Sequence, residues 1–136
     1  MIIGIGIDVV DINRFAHWHE YSHKQLQRVF SANEIMYCLE IHQKSAERFA
    51  ARFAAREALF KALCQAWPEH NMAFLTFCRA VEVAHSERGA PYFIIAEECF
   101  AKHVPDWHSC APKILLSLSH TRETATAFTI ISSTDL

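Results

Sequence analysis

The stretch SAERFAARFAAREALFKALCQA, residues 45–66, decides the architecture. Its Ala, Leu, Arg and Glu content is that of a strong helix former, and Pro68 just beyond it marks the end. Phe49, Phe53, Phe60 and Leu63 recur at helical spacing and form one apolar stripe, which reads as core. At ~100° per residue, Ala50, Ala54, Glu57 and Lys61 share a neighbouring strip. Two small residues there leave room for something to pack against the Glu57/Lys61 charges. The same pair can equally be a surface ion pair worth ~0.3–0.5 kcal/mol. Arg56 projects within the aromatic stripe, where a guanidinium needs a carboxylate or phosphate partner.

Upstream, Ile2 to Val10 (IIGIGIDVV) reads as a buried strand whose alternate residues Gly4 and Gly6 leave one face bare. A bare face suits close approach of another backbone or a ligand. Asp11 is placed to cap a helix reaching about Val29. Ser31 and Glu34 fit a capping box for a second helix through about His42. Downstream, a loop leads to a hairpin, with strands over 79–84 and 91–95 around Glu87-Arg88-Gly89-Ala90. A short helix is expected over 96–104. Strands over 113–119 and 124–132 flank His120-Thr121-Arg122-Glu123. The order β-α-α-α-β-β-α-β-β predicts an α+β fold, a mostly antiparallel sheet packed against a long central helix.

Composition narrows the function. The chain has 136 residues, one domain by length, with 51% apolar residues and only 3 Gly and 4 Pro, which excludes a disordered or low-complexity protein. A net charge of −2 gives no global reason for nucleic-acid binding or attachment to a charged membrane surface. The stretch 124–134 falls short of the ~20 apolar residues that span a bilayer. The N-terminus lacks a basic region, and Asp8 interrupts its apolar run, so no signal peptide is read there. Cys38, Cys64, Cys78, Cys99 and Cys110 form an odd set with no C-x-x-C pair. A reducing, cytoplasmic setting is the expectation.

Two further segments carry chemistry. Asp8 closes an apolar strand just past the glycines, where it either caps the next turn or holds a hard cation. Mg²⁺ is commonly held by one or two carboxylates with phosphate oxygens and water, and Glu57 would supply the second carboxylate if this strand packs beside the long helix. Ser117-Leu118-Ser119-His120-Thr121 ends a strand in hydroxyls and an imidazole, which can bind phosphate or satisfy a turn's own backbone. No G-x-S-x-G surrounds Ser119, Gly4-x-Gly6 lacks a third glycine, and His17, His19 and His23 lack an H-E-x-x-H partner. Hydrolase, dinucleotide and zinc signatures are thereby set aside.

Taken together, GIGIDVVDINRF, FSANE, RFAARFAAREALFKAL, the GAP turn and ILLSLSHT with TATAFTII resemble the holo-acyl-carrier-protein synthase type of 4′-phosphopantetheinyl transferase over nearly the whole chain. The resemblance implies that family's fold, commonly trimeric with sites between subunits. It implies Mg²⁺-dependent transfer of the 4′-phosphopantetheine arm from coenzyme A to a serine of an apo acyl carrier protein, releasing 3′,5′-ADP, in fatty acid biosynthesis. Asp8 and Glu57 match metal-binding carboxylates, and Glu57 and Lys61 are assigned to catalysis. Arg52, Arg56, Lys61, Ser119, His120 and Thr121 are assigned to coenzyme A. Arg14 matches a position that engages the carrier; Lys24 and Arg28 add positive charge to the same segment, where Glu20 is the one acidic residue. The family usually has Gly, Lys and Gly where Ala51, Arg56 and Cys64 stand. Those three departures are the ground for an alternative, a non-catalytic module that binds coenzyme A or a carrier.

Overall fold

The computed structural model describes residues 1–134. Strand β1 (Ile2–Asp11) pairs with β5 (Thr124–Ser132), and β5 pairs in turn with β4 (Lys113–His120), giving an antiparallel sheet in the order β1-β5-β4. Strands β2 (Val81–His85) and β3 (Pro91–Ile95) form a separate antiparallel hairpin. Its turn uses Gly89 at a φ of 83°, in the left-handed region that glycine occupies without strain. The sheet is therefore antiparallel, as expected, but it is divided in two.

The long helix α3 (Ser45–Ala66) runs through the middle of the molecule. Ala50, Ala54, Ala55, Ala58 and Ala62 are fully buried along it, as are Phe49, Leu59 and Leu63. Methyl side chains let the sheet lie close on one side while the aromatic stripe packs on another. Phe60 is only half-buried, against the rings of Phe74 and Phe77. Helix α2 (Ala32–Glu40) starts with the expected capping box: Ser31 Oγ accepts from the Glu34 N–H, and Glu34 accepts from the Ser31 N–H.

The segment after β1 differs from expectation. No helix runs over 11–29. Asp11 continues the strand opposite Thr124 and makes no side-chain cap. Two 3₁₀ turns, Ile12–Phe15 and Trp18–Glu20, lead to the four-residue helix α1 (His23–Leu26). The cause is aromatic packing: the Trp18 ring sits within about 6 Å of those of Phe15, Tyr21, Phe30, Phe49 and Phe53. A continuous helix would not hold Phe15, Trp18 and Phe30 in one cluster around α3. The missed signal was Ser22-x-x-Gln25, which forms its own capping box.

Two smaller differences follow the same logic of tertiary contacts. Helix α4 (Phe74–Arg79) takes Arg79 from the expected strand, because Phe77 and Cys78 are buried under β2. Helix α5 (Glu97–His103) falls where a short helix was expected, and an unexpected turn of helix, α6 (Trp107–Cys110), follows it. There the Trp107 ring packs at a tilt against Phe100 and Trp67 and donates its indole N–H to Glu97.

Candidate active site

The site is built where β1 crosses α3. Gly4, Gly6 and Asp8 occupy alternate positions and so share a face of the strand. A Cβ on Gly6 would lie 1.8 Å from the Ala58 carbonyl oxygen, and one on Gly4 would lie 2.4 Å from that of Ala62. Only hydrogen fits between strand and helix. Gln65 Oε1 accepts from the Ile5 N–H at 2.7 Å and fastens the same crossing. Two residues beyond Gly6, Asp8 reaches Glu57 and Lys61, which flank Ala58 along the helix.

Lys61 Nζ donates to Asp8 Oδ1 at 2.9 Å and to the Ile7 carbonyl at 3.0 Å. Asp8 Oδ2 is buried with no partner. Burial raises the Glu57 carboxyl above the usual carboxylate range, and the neighbouring Asp8 charge raises it further, against the lowering effect of Lys61 and Arg14. Two carboxylates that repel each other, one with an orphaned buried oxygen, fit a divalent cation. No group of three or more His, Cys, Asp or Glu side chains is gathered as a metal cage among the described residues. A pair of carboxylates is a donor set from which Mg²⁺ is commonly held, with positions left for phosphate and water.

Farther towards the start of α3, Arg52 and Ala51 line a cavity of about 170 Å³ with Ser119 and His120 at the end of β4. Tyr37, Arg48, Glu47, His85 and Leu118 complete it. Arg52 is 3% exposed, and its Nε is buried without a partner. His120 Nε2 lies 3.3 Å from Glu47 Oε1. This cavity can hold an anion, because two guanidiniums face it.

Residues 4–128 match the 4′-phosphopantetheinyl transferase superfamily. The chain belongs to this family. It is 36% identical over 140 residues to the holo-[acyl-carrier-protein] synthase of Protochlamydia amoebophila, covering 98% of this chain and 100% of that protein. Among solved structures it resembles the ACPS–CoA complex of Chronobacterium ammoniagenes, with a TM-score of 0.78, 27% identity, and coverage of 97% of this chain and 98% of that one. It also resembles the holo-(acyl-carrier-protein) synthase of Bacillus anthracis in complex with CoA (3′,5′-ADP), with a TM-score of 0.71, 30% identity, and coverage of 98% and 99%. The fold is that of this transferase family.

Several residues singled out by the family resemblance stand elsewhere than expected. Arg56, assigned to coenzyme A, is fully buried and forms a bidentate pair with Glu34. Its Nε donates to the Cys78 carbonyl at 3.1 Å and Nη2 to that of Val81 at 2.8 Å, so its donors are committed to the protein. The carboxylate partner that its place in the aromatic stripe demanded is Glu34. Thr121 is exposed, and its Oγ1 accepts from the N–H groups of Glu123 and Thr124 in the β4–β5 turn. Arg14, Lys24 and Arg28 are exposed, but they lie on a 3₁₀ turn, on α1 and beyond it, and not on one helix. Arg14 packs its guanidinium over Phe53, 4.8 Å from the ring centroid, and acts on the Glu57 carboxyl.

Of the three positions where the resemblance leads one to expect other residues, Ala51 falls on the cavity wall and Arg56 in the core. Cys64 is exposed with its Sγ 3.3 Å from His70 Nε2. Sequence motifs missed Tyr37, Arg48 and His85. Arg48 stands at i, i+4 spacing from Arg52 on α3, whereas Tyr37 comes from α2 and His85 from β2, and no local spacing links those two to it.

Proposed function

We propose that this chain transfers the 4′-phosphopantetheine arm of coenzyme A to a serine of an apo acyl carrier protein, with Mg²⁺, releasing 3′,5′-ADP. The observation that carries the reading is the Asp8–Glu57–Lys61 constellation, with the unpartnered Asp8 Oδ2, in a chain of this family. Relatives named as holo-acyl-carrier-protein synthases and family structures in complex with CoA support it.

In this reading the serine hydroxyl oxygen bonds to the β-phosphorus, and the bond from that phosphorus to the oxygen bridging the α-phosphate breaks. Asp8 and Glu57 would hold Mg²⁺, which when bound supplies charge neutralisation at the pyrophosphate. Lys61 stabilises the charge that develops on the leaving oxygens. Glu57, with its raised proton affinity, is the carboxylate placed to take the serine proton. Arg52, Ser119 and His120 hold the nucleotide end. Exposed Arg14, Lys24 and Arg28 attract an acidic carrier.

A homotrimer belongs to the same reading. The outer face of the β1-β5-β4 sheet exposes Ile5, Ile7, Val9, Leu115 and Phe128, and register places Ile7 opposite Phe128. A contiguous apolar sheet face of this kind is covered in an assembly. The proposed setting is the cytoplasm, whose reducing conditions keep cysteine thiols unoxidised. No described helix is long and apolar enough to cross a membrane.

Mass spectrometry of an apo acyl carrier protein incubated with this protein, coenzyme A and Mg²⁺ tests the reaction. The expected result is a gain of one phosphopantetheine arm, lost with EDTA and restored by added Mg²⁺. No gain on any carrier, with coenzyme A still bound, would replace the reading with that of a non-catalytic binding module.

A further inference from the structure

Cys64 and His70 form a pair that the proposed transfer does not use. Cys64 is the exposed thiol of the chain. Cys38 and Cys78 are buried, and burial pushes both thiols up to about 12, which silences them near neutral pH. Cys99 and Cys110 are half-buried. The Cys64 Sγ lies 3.3 Å from His70 Nε2. The Met72 N–H donates to His70 Nδ1 at 3.1 Å, and a backbone N–H can only donate. Nδ1 is therefore bare, and the neutral ring carries its proton on Nε2, facing the sulfur. Burial keeps that ring neutral by lowering its proton affinity, against the raising effect of Glu69. The Phe60 ring meets the imidazole edge-on, with 5.6 Å between centroids, and fixes its plane.

The tautomer decides the chemistry. With Nε2 protonated, the imidazole directs no lone pair at a metal shared with Cys64. The same N–H is a donor to a thiolate, the nucleophilic form of cysteine. Burial raises the Cys64 thiol, with its own backbone hydrogen bond acting the other way. Cys64 therefore rests as a thiol, and its thiolate, once formed, is a strong nucleophile. At ~100° per residue, Cys64 stands about 20° from Glu57 and about 60° from Lys61 around α3, on one face of the helix. Lys61 is three residues away, a spacing that sets Cβ atoms ~5–6 Å apart. The resemblance leads one to expect glycine at this position, so the thiol is this chain's own addition to that face.

We propose that Cys64, with His70 as its positioning residue, is a reversible thiolation site at which a low-molecular-weight disulfide closes the Lys61 face to coenzyme A. The Cys64 S–H gives its proton to water, and the thiolate attacks one sulfur of the disulfide. The new sulfur–sulfur bond forms as the old one breaks, and the second half leaves as a thiolate that takes up a proton. Cys64 is oxidised and the departing half is reduced. A glutathionyl group, a tripeptide of up to ~10 Å, reaches across Lys61. That Lys61 meets coenzyme A rests on the function proposed above; the thiolation itself does not.

Peptide mass spectrometry after incubation with glutathione disulfide, or with oxidised coenzyme A in a parallel sample, tests the site. One adduct is expected, at Cys64, forming at least tenfold faster than at any other cysteine and removed by dithiothreitol. Either disulfide satisfies the site, and the faster of the two identifies its source. His70→Phe keeps a ring beside Phe60 but not the donor; it should slow labelling at least fivefold at pH 7 and move the pH profile of labelling upward. Desulfo-coenzyme A, which has no thiol to reverse the adduct, should bind the glutathionylated protein at least tenfold more weakly than the reduced protein by calorimetry. Cys64→Ser should bind it equally with and without disulfide treatment. Labelling as fast at Cys99 or Cys110, a His70→Phe profile that stays put, or binding that the adduct leaves unchanged overturns the proposal. A protein that is blocked by thiolation but, when reduced, modifies no carrier would sink the transfer reaction and leave this site standing.

Discussion

Asp8 uses one carboxylate oxygen for Lys61, at 2.9 Å, and keeps the other buried without a partner. An ion pair alone does not explain that second oxygen, whose desolvation goes unanswered in the protein. A cation shared with Glu57 does. Asp8→Asn keeps an acceptor for Lys61 but removes the charge. Transfer is expected to fall by at least about 100-fold, about 2.7 kcal/mol of transition-state stabilisation at 1.36 kcal/mol per decade. The fold should persist. Transfer rates against Mg²⁺ concentration, with a thermal melt of the same sample, check this; a rate near the wild type would remove Asp8 from the metal site.

Glu57→Gln should uncouple activity from stability. The folded-state pKa of Glu57 is raised by burial first and by Asp8 second. As pH rises past the carboxyl's ordinary value of 4.5, the unfolded chain ionises first and native stability is lost. The loss is complete once pH exceeds the raised native value, and it persists at pH 7. Glutamine does not ionise, so Glu57→Gln should melt higher than the metal-free wild type at pH 7, and the two curves should converge below about pH 4. Added Mg²⁺ should stabilise the wild type and leave the variant nearly unmoved. A gain of equal size at pH 4 and pH 7 would point to packing instead of charge.

How much of this was legible depends on how local each signal was. The alternate glycines of β1 announced a close approach, and the approach is to Ala58 and Ala62. Ser31 and Glu34 announced a helix start because a capping box closes within four residues. Asp11 misled, because its capping tendency lost to pairing with Thr124 on a strand more than a hundred residues away in sequence. The Arg56–Glu34 pair and the Tyr37–Arg52–His85 group were hidden for the same reason. Each joins elements whose neighbourhood only tertiary packing decides. Arg56 was recognisable as needing a partner, but not which one.

Gly6→Ala should damage the site through the backbone. Its Cβ would fall 1.8 Å from a helix carbonyl, so β1 must lift off α3 and carry Asp8 with it. A destabilisation of about 1–3 kcal/mol or more is expected, together with loss of transfer. Gly89→Ala serves as the contrast. Nothing lies within 4 Å of its Cβ, and only the left-handed φ is strained, at roughly 1–2 kcal/mol. Denaturant titrations should show both losses, whereas transfer assays should show only the first. Full transfer by Gly6→Ala would break the link between the strand crossing and the site.

Ile7→Glu tests the assembly. Ile7 is 56% exposed on the apolar sheet face, on the edge strand β1 opposite Phe128 of the central strand. Light scattering of the wild type should give the mass of three chains and that of the variant one. Transfer should fall with the mass, since the reading places sites between subunits. A wild type that runs as a monomer would refute the trimer and leave the chemistry at Asp8 and Glu57 to be judged separately.

Arg56, where the family resemblance leads one to expect a lysine, is closed off from solvent. The guanidinium is fully buried and joins α2 through Glu34, the end of α4 through the Cys78 carbonyl and β2 through the Val81 carbonyl. Glu34 in turn accepts the Val83 N–H at 3.2 Å. A lysine supplies the charge at one point and cannot reproduce this fork. Arg56→Ala should cost about 3–5 kcal/mol, because it leaves Glu34 buried and charged with its main partner gone. Arg56→Lys should lose less, and the double change Arg56→Met with Glu34→Leu should recover much of the loss, since apolar residues of similar volume often replace a buried pair well. Urea unfolding of the three variants separates these cases. If Arg56→Ala and the double variant were equally unstable, lost packing and not the orphaned carboxylate would be the cause.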